Sequence, residues 1–419
     1  MAQIRVDVQK LRRSELDFLK TEAMLQVKEL EIRTIRLTLR YKIAAHEMLS
    51  QRMKETADQL AKERRSLKSL REGIEQIVQQ YSRTEKSNLQ DLAKVIAQIA
   101  GSAGWRQDGR SGEELLNTSA SEMDSYISSF EKEHPEDAAR LNSYLAGGKN
   151  NKLTQDDIRK IKYLAYTAEE PYRSAYLRNL DKFSIGDADL KDKDGAYYWN
   201  GNVNYVYSDN KYDSFGNDPR GAYTVFFHES GHAMDDLANI SNKNGYDTEN
   251  FTAYSEAIGK DVSVREAIEY DVFYNANNPH SITSIAAAVR ATGKSSAGAS
   301  GNVENVIQAF KNGSSKGLSN NDLKLYNSVR KQFESSIGSN KAQYEAVTDV
   351  YGGMTGNVLR TSDGYGHKIT YWNDPTKAGK ELWAEYFSYN MSGSKENLEH
   401  LREYFPEAAN VLEKYAYSM

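Results

Sequence analysis

The first hundred residues place an apolar side chain at every seventh position. Leu11, Phe18, Leu25, Ile32 and Leu39 share one phase, and Met53, Leu60, Leu67, Ile74 and Tyr81 resume it beyond His46. Ile35, Leu49, Leu70 and Ile77 fall three residues after members of that set. The pattern is an a/d-type stripe, which predicts helix with one face buried against another helix. The first glycine is Gly73 and the first proline is Pro135, so helix breakers are almost absent. Ser14, Thr21, Lys28, Lys42, Thr56 and Glu63 interrupt the second seam. The unbroken phase allows one long helix, whereas the patchy seam favours a hairpin or small bundle that bends near His46. His46 itself reads as a structural histidine on the stripe.

Further helical patterns follow at 89–99, 113–146 and 154–182, the last opening on a capping-box-like Thr154-Gln-Asp-Asp157. Between them, AGSAGWRQDGRSG at 100–112 is the best domain boundary in the chain. The texture then changes. AYYWNGNVNYVYSD carries aromatic and β-branched residues around Asn-Gly, which predicts a β-hairpin at 196–208. Val203, Tyr205 and Tyr207 alternate with Asn204 and Val206, so one face of its second strand is suited to burial. Residues 277–345 are rich in Ser, Asn and Gly and read as an insertion with flexible connections around one short helix, VENVIQAF. The expected fold is α+β and mostly helical. A helical hairpin or coiled coil (1–100) and a helical connecting region (101–185) precede a domain with a small antiparallel sheet (186–419).

With 419 residues the chain exceeds one ordinary core, and 39% hydrophobic against 27% charged residues suits folded, water-soluble domains. The absence of cysteine excludes disulfides, thiolate metal sites and a cysteine nucleophile, leaving His, Asp and Glu as the strong metal ligands. Residues 1–100 hold 20 Lys+Arg against 14 Asp+Glu, so the rest of the chain is net −11 within a total of −5. Neither value is extreme and the basic residues are interspersed with acids, which argues for a solvated helical surface and against nucleic-acid binding. No apolar run reaches the length of a membrane helix, and MAQIRVDVQKLRRSELD lacks the apolar core of a secretory signal.

The chemistry concentrates in TVFFHESGHAMDD, residues 224–236. Residues four apart share a helix face, so His228 and His232 can present two imidazole nitrogens to one zinc ion. Glu229 sits beside them as the general base for a zinc-activated water, passing the proton to a leaving amine. Gly231 permits another backbone to approach closely. Asp235, three residues past His232, is a candidate to receive a ring N–H and orient that ligand. A third ligand is still required. The three-histidine pattern needs glycine at 235 and histidine at 238, where this chain has Asp235 and Ala238. Glu256 in AYSEAIG and Glu381 in KELWAEYFSYNM, with Glu385 one turn later, are the remaining candidates.

HESGHAMDD together with ELWAEYFSYN resembles the metallopeptidase domain of anthrax lethal factor and its relatives. NDPRGAYTVFFHESGHAMD, TDVYGGMTGN, YGHKITYWNDP, ELWAEYF and LREYFPEA follow in the order of the lethal-factor-like peptidase domains found at the carboxyl ends of bacterial polymorphic toxins. The resemblance covers about 185–419 and is faint between 240 and 340. It implies a zincin-like gluzincin fold with His228, His232 and Glu381 as zinc ligands, Glu229 as base and Glu385 behind a ligand histidine. The family's oxyanion-stabilising tyrosine would fall at Asp374, so this chain departs from that spacing, and Tyr371 and then His367 are the nearest donors. Because zincins hold substrate as an added strand, the hairpin residues Val203 and Tyr205 are candidate substrate contacts. The amino-terminal helices resemble the hairpins that address substrates to type VII secretion in Gram-positive bacteria.

The implied protein is a zinc endopeptidase acting on protein or peptide substrates. It would be exported from the producer's cytoplasm without a classical signal peptide and would not insert into membranes. A cognate immunity protein and secretion chaperones would be its partners. The alternatives are a processing protease, or a coiled-coil assembly protein whose zincin domain is inert.

Overall fold

Between Trp105 and Arg106, inside the Gly/Ser-rich boundary, the chain divides into two units. The computed structural model describes residues 111–419 except 188–195, 206–214, 219, 242–246, 292–299, 339–342, 361–366 and 375. Of the first unit it describes 28, 54–62 and 65. There, 54–62 is helical, with Ala57 buried and the seam-interrupting Thr56 exposed. The rest of the heptad stripe, His46 and the helix expected at 89–99 lie outside the described residues.

The second unit is mostly helical. The run expected at 113–146 is three helices, α1 (Gly112–Leu116), α2 (Ala120–Glu133) and α3 (Pro135–Leu145). Ser111 and Ser119 open the first two with capping boxes completed by Glu114 and Glu122, and Pro135 stands where its missing N–H costs nothing. α4 (Gln155–Thr167) starts with the Thr154–Asp157 capping box, and α5 (Tyr172–Asn179) begins after Pro171. These helices form one unit with everything that follows: the Gly112 N–H donates to Gly393 O at 2.7 Å, and Tyr172 packs against Trp383.

The hairpin consists of β2 (Tyr197–Trp199) and β3 (Asn202–Asn204), preceded by a short strand β1 (Ser184–Ile185). Trp199 pairs with Asn202, so Asn200 and Gly201 alone make the turn, with φ of 49° and 77°. Two positive φ values define a type I′ turn, which asparagine and glycine accept with least strain. β1 adds in parallel to the other side of β3, making β3 the central strand.

Helix α6 (Thr224–Ser241) carries the histidines. A second hairpin, β4 (Thr252–Ser255) and β5 (Lys260–Ser263), leads into α7 (Val264–Glu269). The described residues of the Ser/Asn/Gly-rich region form three helices instead of one: α8 (Ile282–Ala291), α9 (Val303–Lys311) and α10 (Asn320–Ile337). The residues that suggested a loop are partly caps. The Asn302 side chain accepts from the N–H groups of Glu304 and Asn305, and Ser319 accepts from that of Asp322. Phe310 stacks on Tyr326 at 4.3 Å between α9 and α10. Then follow α11 (Glu345–Met354), a 3₁₀ turn at Ile369–Asn373, α12 (Lys377–Ser392), α13 (Lys395–Tyr404) and α14 (Pro406–Ser418). Among the described residues no helix is long and apolar enough to cross a membrane.

α12 is the axis of the unit, buried on every side from Glu381 to Ser392. Its aromatic residues Trp383, Tyr386, Phe387 and Tyr389 are essentially inaccessible, each worth about 1.5–3 kcal/mol of burial. α6 lies along it at unusually short range. A Cβ placed on Gly231 would fall 2.9 Å from Ala384 Cα, and Trp383 Nε1 donates to Gly231 O at 3.0 Å across the same crossing. α6 also buries Phe226 and Phe227, with Tyr205 stacked on Phe226 at 4.8 Å.

Candidate metal centre

The α6–α12 crossing brings two i,i+4 pairs face to face. His228 and His232 project from α6, and Glu381 and Glu385 from α12. The Nε2 atoms of the two histidines are 3.2 Å apart. Glu381 Oε2 lies 3.4 Å from His228 Nε2 and 3.5 Å from His232 Nε2. A tetrahedron with zinc–ligand bonds of 2.0–2.1 Å has edges of about 3.3–3.4 Å. The three atoms therefore form one face of a tetrahedron sized for zinc, and two nitrogens with one oxygen are a donor set zinc accepts. Glu256, the other candidate ligand, is exposed in the turn between β4 and β5 and has no part in this cluster.

Around the triangle each residue has a defined place. Glu229 is buried beside His228, and its carboxylate accepts no hydrogen bond from the described residues. Glu385 Oε1 lies 3.2 Å from His228 Nδ1, ion-pair range but off the line of a hydrogen bond, and its Oε2 has no partner among the described residues. Tyr371 donates its hydroxyl hydrogen to Glu381 Oε1, leaving Oε2 to face the histidines. His367 stacks on Tyr371 at 3.8 Å and points Nε2 toward Glu381 Oε1, 3.8 Å away, too far for a hydrogen bond.

Electrostatics follow from burial and pairing. Burial works against charge on Glu381, yet the His232 and His228 imidazoles hold its carboxyl well below the usual range. Glu385 is likewise buried but is pulled down to about 2 by Arg220 and His228. Burial raises the Tyr371 hydroxyl far above its ordinary value, and the Glu381 carboxylate adds to this, so it remains a donor. For His367, burial is outweighed by the Asp349 carboxylate, which raises the imidazole.

Three residues expected at the site belong elsewhere. Asp235 does not reach His232: it accepts from Thr248 N–H and Oγ1–H, both at 2.9 Å, and from the Tyr415 hydroxyl at 2.7 Å. Its place on α6 turns it toward α14 and the 248 loop. Val203 and Tyr205 are not substrate contacts but core. Val203 is fully buried in the central strand, and the Tyr205 hydroxyl donates to Phe226 O beneath α6. Among the described residues β1 and β2 are the edge strands of that sheet; on β2 Trp199 is 74% exposed and Tyr198 is tied to Asp236 of α6.

Four contributors went unrecognised in the sequence. Asp349 accepts from His367 Nδ1 at 2.7 Å and from the His367 backbone N–H at 2.8 Å, fixing that ring. Arg220 donates to Glu385, Asp218 caps α6 through the Val225 N–H, and Glu345 lies one turn before Asp349. The i,i+4 spacing of Glu345 and Asp349 was the only local signal, and such pairs are common on solvated helices. Compared with known proteins, the chain matches no family model, no curated protein and no solved structure.

Proposed function

We propose that the chain is a zinc-dependent endopeptidase of the gluzincin type, with His228, His232 and Glu381 holding the metal. The observation that carries this is the ligand triangle with edges of 3.2, 3.4 and 3.5 Å beside a buried, unengaged Glu229. Zinc bound there supplies Lewis acidity toward water and toward a peptide carbonyl. Glu229 takes the proton released as water adds to the carbonyl carbon and returns it to the amine nitrogen as the C–N bond breaks. His367, its Nδ1–H committed to the Asp349 carboxylate that favours its imidazolium, donates Nε2–H to the oxygen that becomes negative. Tyr371 has its hydroxyl on Glu381 and steadies that ligand. An extended peptide would add to the β2 edge, where Trp199 is exposed.

From the resemblance of the motifs to lethal-factor-like toxin domains, we further read the peptidase as the effector of a secreted bacterial toxin. Its helical amino-terminal module would serve export, and an immunity protein would guard the producer. Zinc analysis of the purified chain tests the centre: Glu381→Ala should lose the metal and Glu256→Ala should keep it. Cleavage of a proteome-derived peptide library by wild type and by Glu229→Ala tests the activity, and equal cleavage by both would overturn it. Equal toxicity of the two on expression in susceptible bacteria would sink the effector reading while leaving the peptidase intact.

A further inference from the structure

We infer that Arg220 is a positioning residue of the metal centre, one that holds Glu385 against His228 and ties that contact to the amino terminus of α6. The inference rests on the zinc reading above.

Arg220 precedes α6 by four residues, and its side chain is 16% exposed. Its Nη1 donates to Glu385 Oε1 at 2.9 Å, the same oxygen that lies 3.2 Å from His228 Nδ1. The other side of the guanidinium grips Asp218, Nε to Oδ1 at 3.2 Å and Nη2 to Oδ2 at 3.3 Å. Asp218 Oδ2 in turn accepts the Val225 N–H at 2.9 Å. A closed circuit results: the α6 backbone, Asp218, Arg220, Glu385 on α12, and His228 back on α6. The backbone at Arg220 is pinned as well, since its carbonyl accepts from Asn397 Nδ2 and from Ser394 Oγ.

The circuit does what a metal ligand needs. An imidazole presents one nitrogen to a metal in a fixed direction only when its other nitrogen is held. Among the described residues, Glu385 is the one group within ion-pair range of His228 Nδ1, and Glu385 Oε2 has no hydrogen-bond partner of its own. Without Arg220 no other described group donates a hydrogen bond to the Glu385 carboxylate, which is then free to turn away from the ring. A planar fork is required, because one cation must face Glu385 and Asp218 together; a lysine ammonium supplies charge without that geometry.

The test uses zinc alone as probe, with the full chain, in competition against a chromogenic chelator. Arg220→Met should weaken zinc binding by about 10–100-fold. Glu385→Gln should weaken it too, and the double variant should bind no worse than the weaker single, because both act through one contact. Wild-type zinc affinity in Arg220→Met, or losses that multiply in the double variant, would overturn the inference. Should Arg220→Met fail to fold, Arg220→Lys carries the test: a several-fold loss supports the fork, and unchanged affinity refutes it. A wild-type chain that binds no zinc would instead defeat the metal reading itself.

Discussion

Substituting Gly231 by alanine probes what positions the third ligand. The added Cβ would sit 2.9 Å from Ala384 Cα, 3.2 Å from its carbonyl oxygen and 3.4 Å from its Cβ. Carbon atoms in contact want about 3.5–4.0 Å, so α6 and α12 must part by roughly 0.6–1 Å at the crossing. Overpacking of this kind costs about 1–3 kcal/mol. Alanine returns about 1 kcal/mol through its better helix propensity, and the net loss is about 0–2 kcal/mol. The ligand set is more sensitive. Glu381 stands one turn before Ala384 and must keep Oε2 within 3.4 and 3.5 Å of the two histidines. A functional constellation tolerates roughly 0.5 Å of displacement, so zinc affinity should fall at least about tenfold. Thermal unfolding of the metal-free protein and chelator competition read the two effects separately. Zinc affinity within about threefold of wild type, at whatever stability, would refute the claim that this close crossing sets the ligand geometry.

Two further outcomes follow from single side chains. Burial raises Glu345 to about 7 despite the nearby Arg220, so between its unfolded value and pH 7 the folded chain binds the extra proton. Stability from this group is complete below about pH 4.3 and is lost as pH rises through 7, a span on the order of 3 kcal/mol. Glu345→Gln should therefore match wild type near pH 4 and exceed it at pH 8 in chemical denaturation, and an unchanged pH slope would contradict the assignment. On the hairpin, Val203→Ala should cost about 1.5–3 kcal/mol of stability without changing KM for peptide. Trp199→Ala should leave stability within about 0.5 kcal/mol and raise KM, and the reverse result would return the substrate contact to β3.

How much was legible in the chain depends on distance along it. Asn200-Gly201 specifies a type I′ turn because only the local backbone decides it, and Thr154 with Asp157 specifies a helix start for the same reason. His228 and His232 share a face because helical pitch places them there. These features involve neighbours within a turn or two, and sequence determines them outright.

Tertiary structure decided the rest. Glu256 and Glu381 were equivalent as carboxylates, and only the resemblance to a known family separated them. The physical separation comes from Gly231 meeting Ala384, which sets one beside the histidines and leaves the other in a β-turn. Alternation along β3 marked Val203 and Tyr205 as sharing a face without saying which partner would cover it, and α6 does. Asp235 faced either His232 or the far side of its helix, and Thr248 and Tyr415 claimed it. The serines and asparagines of 277–345 look alike whether they cap helices or line loops, until buried residues such as Phe310 and Tyr326 find each other. Arg220, Asp349 and Glu345 gave no clear sign, because a buried charge is recognisable only by the partners that folding brings to it.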